Sequence, residues 1–111
     1  LSQLYIADSK SRHIRVFDVT VDNALVNGRI FANIAPGFPD GIRLDRDGRV
    51  YSTADDGIHV FNGGGDLIGK ILVEQTPSNC TFGGLGKRML YITAQTAVYR
   101  VALTSTGAQE P

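Results

Sequence analysis

A tyrosine-centred strand segment occurs three times in this chain, and its spacing limits the folds open to the rest. Leu4-Tyr5-Ile6-Ala7-Asp8 is matched by Val50-Tyr51-Ser52-Thr53-Ala54-Asp55 and by Leu90-Tyr91-Ile92-Thr93-Ala94. The tyrosines stand 46 and 40 positions apart. A turn and a second strand follow each copy: Ile14-Arg15-Val16-Phe17, Ile58-His59-Val60-Phe61 and Val98-Tyr99-Arg100-Val101. A period of about 40–50 residues, with four short strands per unit, is the mark of a β-propeller blade.

No window shows helical periodicity for longer than two turns, and 13 glycines punctuate the chain. That pattern predicts an all-β protein with tight turns. Ten strands are expected, at 4–7, 14–20, 28–34, 41–45, 49–54, 58–61, 67–73, 80–83, 89–94 and 97–103. They divide into an incomplete blade (1–36), a complete four-stranded blade (37–76), a second incomplete blade (77–103) and a polar, frayed tail (104–111). This makes about two and a half blades, whereas a closed propeller has about four to eight. The chain therefore reads as part of a propeller. Either an N-terminal part or other copies of the chain would complete the ring, because bare strand edges favour association.

The composition removes several function classes. Lys+Arg and Asp+Glu are 11 each, so no basic excess points to nucleic acid or anionic lipid. No apolar run approaches a membrane span. Cys80 is the only cysteine, which precludes an internal disulfide. The chain opens Leu1-Ser2-Gln3 without a signal-peptide pattern, so a cytoplasmic location is expected, with the true N-terminus upstream.

Between the first two blades lies Gly37-Phe38-Pro39-Asp40-Gly41-Ile42. Pro39 fixes its own φ and pushes Phe38 towards an extended backbone. Gly41 is open to dihedrals that other residues avoid. Asp40 is then held on a stiff turn at the start of an inner strand. That suits a carboxylate facing a channel, and it also suits an ordinary Pro-Asp-Gly turn.

Other candidates read more simply. Asp45-Arg46-Asp47-Gly48 is a hairpin turn, since a calcium loop needs a glycine at its sixth position and a distal Glu. Gly63-Gly64-Gly65 is a turn, since it precedes a strand and not a helix. His13 and His59 lie on the strand face opposite the core set and are expected at the surface. Cys80 is expected to be a small buried residue, and Asn79-Cys80-Thr81 a poor glycosylation acceptor at a strand start. Asp8 and Asp55 close equivalent strands as turn-forming side chains.

Beyond the repeat, the segments resemble the SMP-30/gluconolactonase family over essentially the whole chain, from Leu4 to about Leu103. The resemblance runs through Asn27-Gly28-Arg29-Ile30-Phe31-Ala32 and Leu44-Asp45-Arg46-Asp47-Gly48-Arg49-Val50-Tyr51. Its most specific parts are Pro39-Asp40-Gly41 and Cys80-Thr81-Phe82-Gly83-Gly84. The resemblance implies a six-bladed propeller that hydrolyses lactones, such as sugar lactones, with a divalent cation in its channel. Calcium is the first expectation, with zinc or magnesium as alternatives. It further implies that Asp40 is a metal ligand and a candidate general base. The family's other ligands, a Glu and an Asn, and a further Asn lining the site match no position here and would lie upstream of Leu1. One carboxylate cannot fill a calcium shell of about six to eight oxygens, so the 111-residue chain by itself is expected to be inactive. A non-catalytic propeller segment, self-associating or serving as a binding module, is the other reading.

Overall fold

The computed structural model describes residues 2–109, which form ten strands in three antiparallel sheets. The first sheet has the order β1 (Ser2–Asp8), β2 (His13–Val19), β3 (Leu25–Asn33). The second is β4 (Ile42–Leu44), β5 (Val50–Ala54), β6 (Gly57–Phe61), β7 (Leu67–Leu72). The third is β8 (Asn79–Gly83), β9 (Met89–Ala94), β10 (Ala97–Ala102). Strands consecutive in sequence are neighbours in each sheet, as short turns between β-rich segments require. No helix of the described residues is long and apolar enough to cross a membrane.

The sheets pack face to face around two apolar layers. Ile14, Ala32 and Ile34 of the first sheet and its exit meet Val50, Ala54 and Phe61 of the second. On the other side of the second sheet, Tyr51 and Ile58 meet Cys80, Phe82, Leu90 and Ile92 of the third. Fully burying one such aliphatic side chain stabilises by roughly 1.5–3 kcal/mol. These layers account for the tyrosine repeat. Tyr5 packs edge-on to Phe31 at 5.1 Å, and Phe31 reaches Phe61 of the second sheet. Tyr51 packs edge-on to Phe82 of the third sheet at 5.1 Å. In both cases the repeated tyrosine faces the next sheet along the chain.

Two expectations change here. His59 is buried, at 2% exposure, with Nε2 2.6 Å from Asp56 Oδ1. Lys70 Nζ donates to the other carboxylate oxygen at 3.1 Å. The second sheet lies between two others and its strands β5 and β6 are covered on both faces, so alternation along β6 does not separate core from surface. All five residues of β5 are buried for the same reason. His13 is also more covered than expected, its side chain 14% exposed and its Nε2 3.6 Å from Asp8 Oδ2.

The tail expected to fray is docked as far as Gln109; the remainder of 104–111 lies outside the described residues. The Gly107 amide donates to the Lys87 carbonyl, the Ala108 amide to Leu44, and the Arg46 amide to Thr106. A Cβ on Gly107 would lie 2.4 Å from that of Phe82, so only glycine lets the tail lie this close. The tail thereby ties the β4–β5 turn to the turn 84–88. That second turn contains a short 3-10 segment, Leu85–Lys87.

Candidate functional site

Segment 36–41 carries the chain from the first sheet to the second, and groups on both sheets hold it by its backbone. Ser9 Oγ of the β1–β2 turn donates to the Pro39 carbonyl at 2.7 Å. From the second sheet, the Asp55 amide donates to the Pro36 carbonyl at 2.9 Å. Thr53 Oγ1 accepts from the amides of Asp40 and Gly41, at 3.0 and 3.2 Å. The Thr53 amide returns a bond to the Gly41 carbonyl at 3.0 Å. Pro39 is buried beneath the turn and Asp40 is exposed above it.

The two glycines of the turn do different work. Gly37 has φ +94, and a Cβ there would meet the Asp55 side chain at 2.2 Å. Asp55 thus shapes the turn by packing on Gly37. Asp8 closes its own turn as expected, accepting from the Ser11 amide at 3.0 Å. Gly41 is not among the positive-φ residues; it is required for space. A Cβ there would sit 2.5 Å from Asn79 Cα and 2.2 Å from Asn79 Oδ1. The third sheet therefore closes against the turn from behind, and all three sheets meet at Asp40-Gly41.

Among the described residues, no group hydrogen-bonds the Asp40 carboxylate. Nor do any three His, Cys, Asp or Glu side chains among them gather closely enough to hold a metal ion. Asn79 is the nearest amide to the turn, and its Oδ1 accepts from the Cys80 amide at 2.8 Å. One free carboxylate and one engaged amide do not make the shell of about six to eight oxygens that calcium takes. The described residues taken alone do not fit that ion.

Asp45 shows the opposite environment. Its carboxylate accepts from the amides of Asp47 and Arg49, from the Arg49 guanidinium at 3.0 Å and from Tyr51 Oη at 2.9 Å. Burial pushes its pKa up, but the bonds from Arg49 and Tyr51 outweigh that and leave it below the ordinary carboxylate value. It fastens the expected hairpin between β4 and β5. The Gly63 turn is likewise a plain turn, fastened by Asn62 Oδ1, which accepts from the Gly64 and Asp66 amides at 3.0 Å. Cys80 is buried as expected, and its pKa is pushed up to about 11 by burial, against the opposing charge of Arg43. A thiol held protonated in this way is no nucleophile.

Thr53, Ser9 and Asn79 support the turn, and none of them was read from the sequence as part of the site. A signal for Thr53 exists in the repeat, where Tyr-x-Thr occurs at Tyr51 and again at Tyr91. Thr93 serves the entry of β8 as Thr53 serves that of β4, with its hydroxyl 3.1 Å from Ser78 Oγ.

Residues 1–96 match the family described as the SMP-30/Gluconolactonase/LRE-like region. The chain belongs to this family. The gluconolactonase of Zymomonas mobilis is 30% identical over an alignment 118 positions long, gaps included, which covers 96% of this chain and 33% of that protein. The solved gluconolactonase of Xanthomonas campestris is 35% identical with a TM-score of 0.84, over 91% of this chain and 34% of that one. A calcium-binding protein of Agrobacterium tumefaciens, regucalcin, gives a TM-score of 0.85 over 98% of this chain and 44% of that one. At 15% identity it bears on the fold alone. The three sheets are therefore part of a family β-propeller, as the repeat led one to expect. The chain spans about a third of the length of the gluconolactonases it matches.

Proposed function

We propose that the full-length protein hydrolyses lactones, sugar lactones or similar, and that Asp40 is the reactive group on this part of its channel wall. The observation that carries this reading is the Asp40 carboxylate itself. It is exposed and has no hydrogen-bond partner among the described residues, on a turn whose backbone is held from the first two sheets and backed by the third.

In lactone hydrolysis, water adds to the ring carbonyl carbon, the ring C–O bond breaks and the ring oxygen takes up a proton. A fixed, unengaged carboxylate suits two roles there, ligand of a divalent cation and base towards water. The cation of this reading is calcium first, with zinc or magnesium as alternatives, and its other ligands come from outside these 111 residues. The isolated chain is then inactive. Calorimetric titration of calcium into the full-length protein tests this: wild type binds one ion per chain, and Asp40→Ala abolishes or greatly weakens binding. Equal binding by the two proteins removes Asp40 from the site.

The second reading is a non-catalytic, self-associating propeller segment. It is favoured by the half-exposed apolar residues on the outer face of the first sheet, Leu4 (42%), Ile6 (41%) and Ile30 (53%). A mass measurement in solution separates the two: a monomeric, lactone-hydrolysing protein excludes the second.

A further inference from the structure

Arg43 lies on β4, three residues after Asp40, and the lactonase reading leaves it without a role. Ile42 and Leu44, its neighbours along the strand, pack into the layer shared with the first sheet. Alternation turns Arg43 the other way, towards β8. There it lines a cavity of about 230 Å³ with Asn79, Cys80, Thr81, Tyr91 and Thr93. It also borders the open hollow of about 510 Å³ between β1 and β4. Arg43 thus borders both spaces from the first strand of its sheet, the position that lines the central channel of a closed propeller.

Its charge is unanswered. Among the described residues no carboxylate comes within ion-pair distance of Arg43, although Arg29 and Arg49 each have an acidic partner. Among the described residues its guanidinium makes one bond, from Nη1 to the Ile42 carbonyl at 2.9 Å. A half-buried guanidinium has five donors, and here most are left over. The neighbouring inner-strand side chains, Asn79 and Thr81, add an amide and a hydroxyl. Asn79 also touches Gly41, so this polar cluster adjoins the turn that presents Asp40.

We propose that Arg43, with Asn79 and Thr81, forms an anion subsite beside Asp40, and that the ligand of the channel carries an ionised oxyanion group besides its lactone ring. The planar fork of a guanidinium pairs with carboxylate or phosphate through two parallel bonds. The chemistry selected is thus an acidic lactone, in preference to a neutral one. This rests on the lactonase reading for the ring, while the anion subsite rests on Arg43 and its neighbours independently of that reading.

The test uses the full-length protein with three lactones of one ring type: neutral, carboxylated and phosphorylated. Wild type prefers one of the acidic pair, and which one identifies the oxyanion. Arg43→Gln raises KM for that substrate by roughly ten- to a hundredfold, as the loss of a charged hydrogen-bonding partner implies, with kcat and the neutral substrate's KM little changed. Arg43→Lys, which keeps the charge and loses the fork, falls between. Equilibrium binding of the ring-opened acids to wild type and Arg43→Gln gives a readout independent of turnover. Equal KM changes for neutral and acidic lactones, or equal binding of the ring-opened acids by the two proteins, overturns the subsite. Hydrolysis of none of the three, with the acids still bound through Arg43, overturns the lactonase reading and leaves the subsite standing.

Discussion

The hydroxyl of Thr53 receives two consecutive amide protons, those of Asp40 and Gly41, at 3.0 and 3.2 Å. Thr53 is fully buried, so this one atom joins the interior of the second sheet to the turn that presents Asp40. Replacing it by valine keeps the shape and removes the acceptor. Thr53→Val should destabilise the full-length protein by about 2 kcal/mol, the cost of leaving buried amides unpaired. It should also lower lactone hydrolysis more than it lowers the folded fraction, because Asp40 loses its mooring. Thr53→Ser should recover most of both. Denaturant unfolding and kinetics on the same preparations check this, and a fully active Thr53→Val would show that the anchor is dispensable.

Asp45 predicts a pH dependence. Its folded pKa lies below the ordinary value of 3.8, so it adds stability above that value and loses it as pH falls further towards the depressed folded pKa. Wild type should therefore lose stability steadily below about pH 4. Asp45→Asn should be less stable at neutral pH, by about 2 kcal/mol for a broken buried network whose Arg49 partner is partly solvated, and flatter in acid. Unfolding midpoints between pH 7 and pH 3 for both proteins decide it; parallel curves would contradict the assignment.

Cys80 should be inert while the protein is folded. With its pKa near 11, only about one molecule in ten thousand carries the thiolate at neutral pH, and the side chain is buried. Maleimide labelling of the Cys80 peptide, followed by mass spectrometry, should be slow in buffer and fast in denaturant. Rapid native labelling would mean that the third sheet opens.

The docked tail depends on Gly107, whose absent side chain leaves room for Phe82. Gly107→Ala should cost about 1–3 kcal/mol through overpacking and release the amides that the tail satisfies or protects. Hydrogen exchange should then quicken at Arg46, Gly107 and Ala108 while β5 and β6 stay protected. Unchanged exchange would place the hold of the tail elsewhere.

These cases also show what the amino-acid order reveals. The sheet order was legible because each blade closes on itself through short turns, and the tyrosine repeat marks the same face of successive sheets. His59 was misjudged because alternation reports burial only where one face of a strand is wet, and β6, unlike β7 beside it, has no wet face. The tail was misjudged because its hold is backbone pairing, to which polar composition is blind. At the turn, Asp40 was conspicuous from Pro39 and Gly41, but the reason for Gly41 was not. That reason is the approach of Asn79, 38 positions away, and no local rule contains it.

The central claim is that the unengaged carboxylate of Asp40 performs the chemistry of the channel. The most direct measurement compares kcat/KM for lactone hydrolysis by the full-length wild type and Asp40→Asn, with thermal unfolding run alongside. The account predicts a fall of roughly a hundredfold or more at an unfolding midpoint that is unchanged in metal-free buffer, since among the described residues nothing bonds to the carboxylate. An Asp40→Asn protein that hydrolyses lactones at the wild-type rate would contradict it.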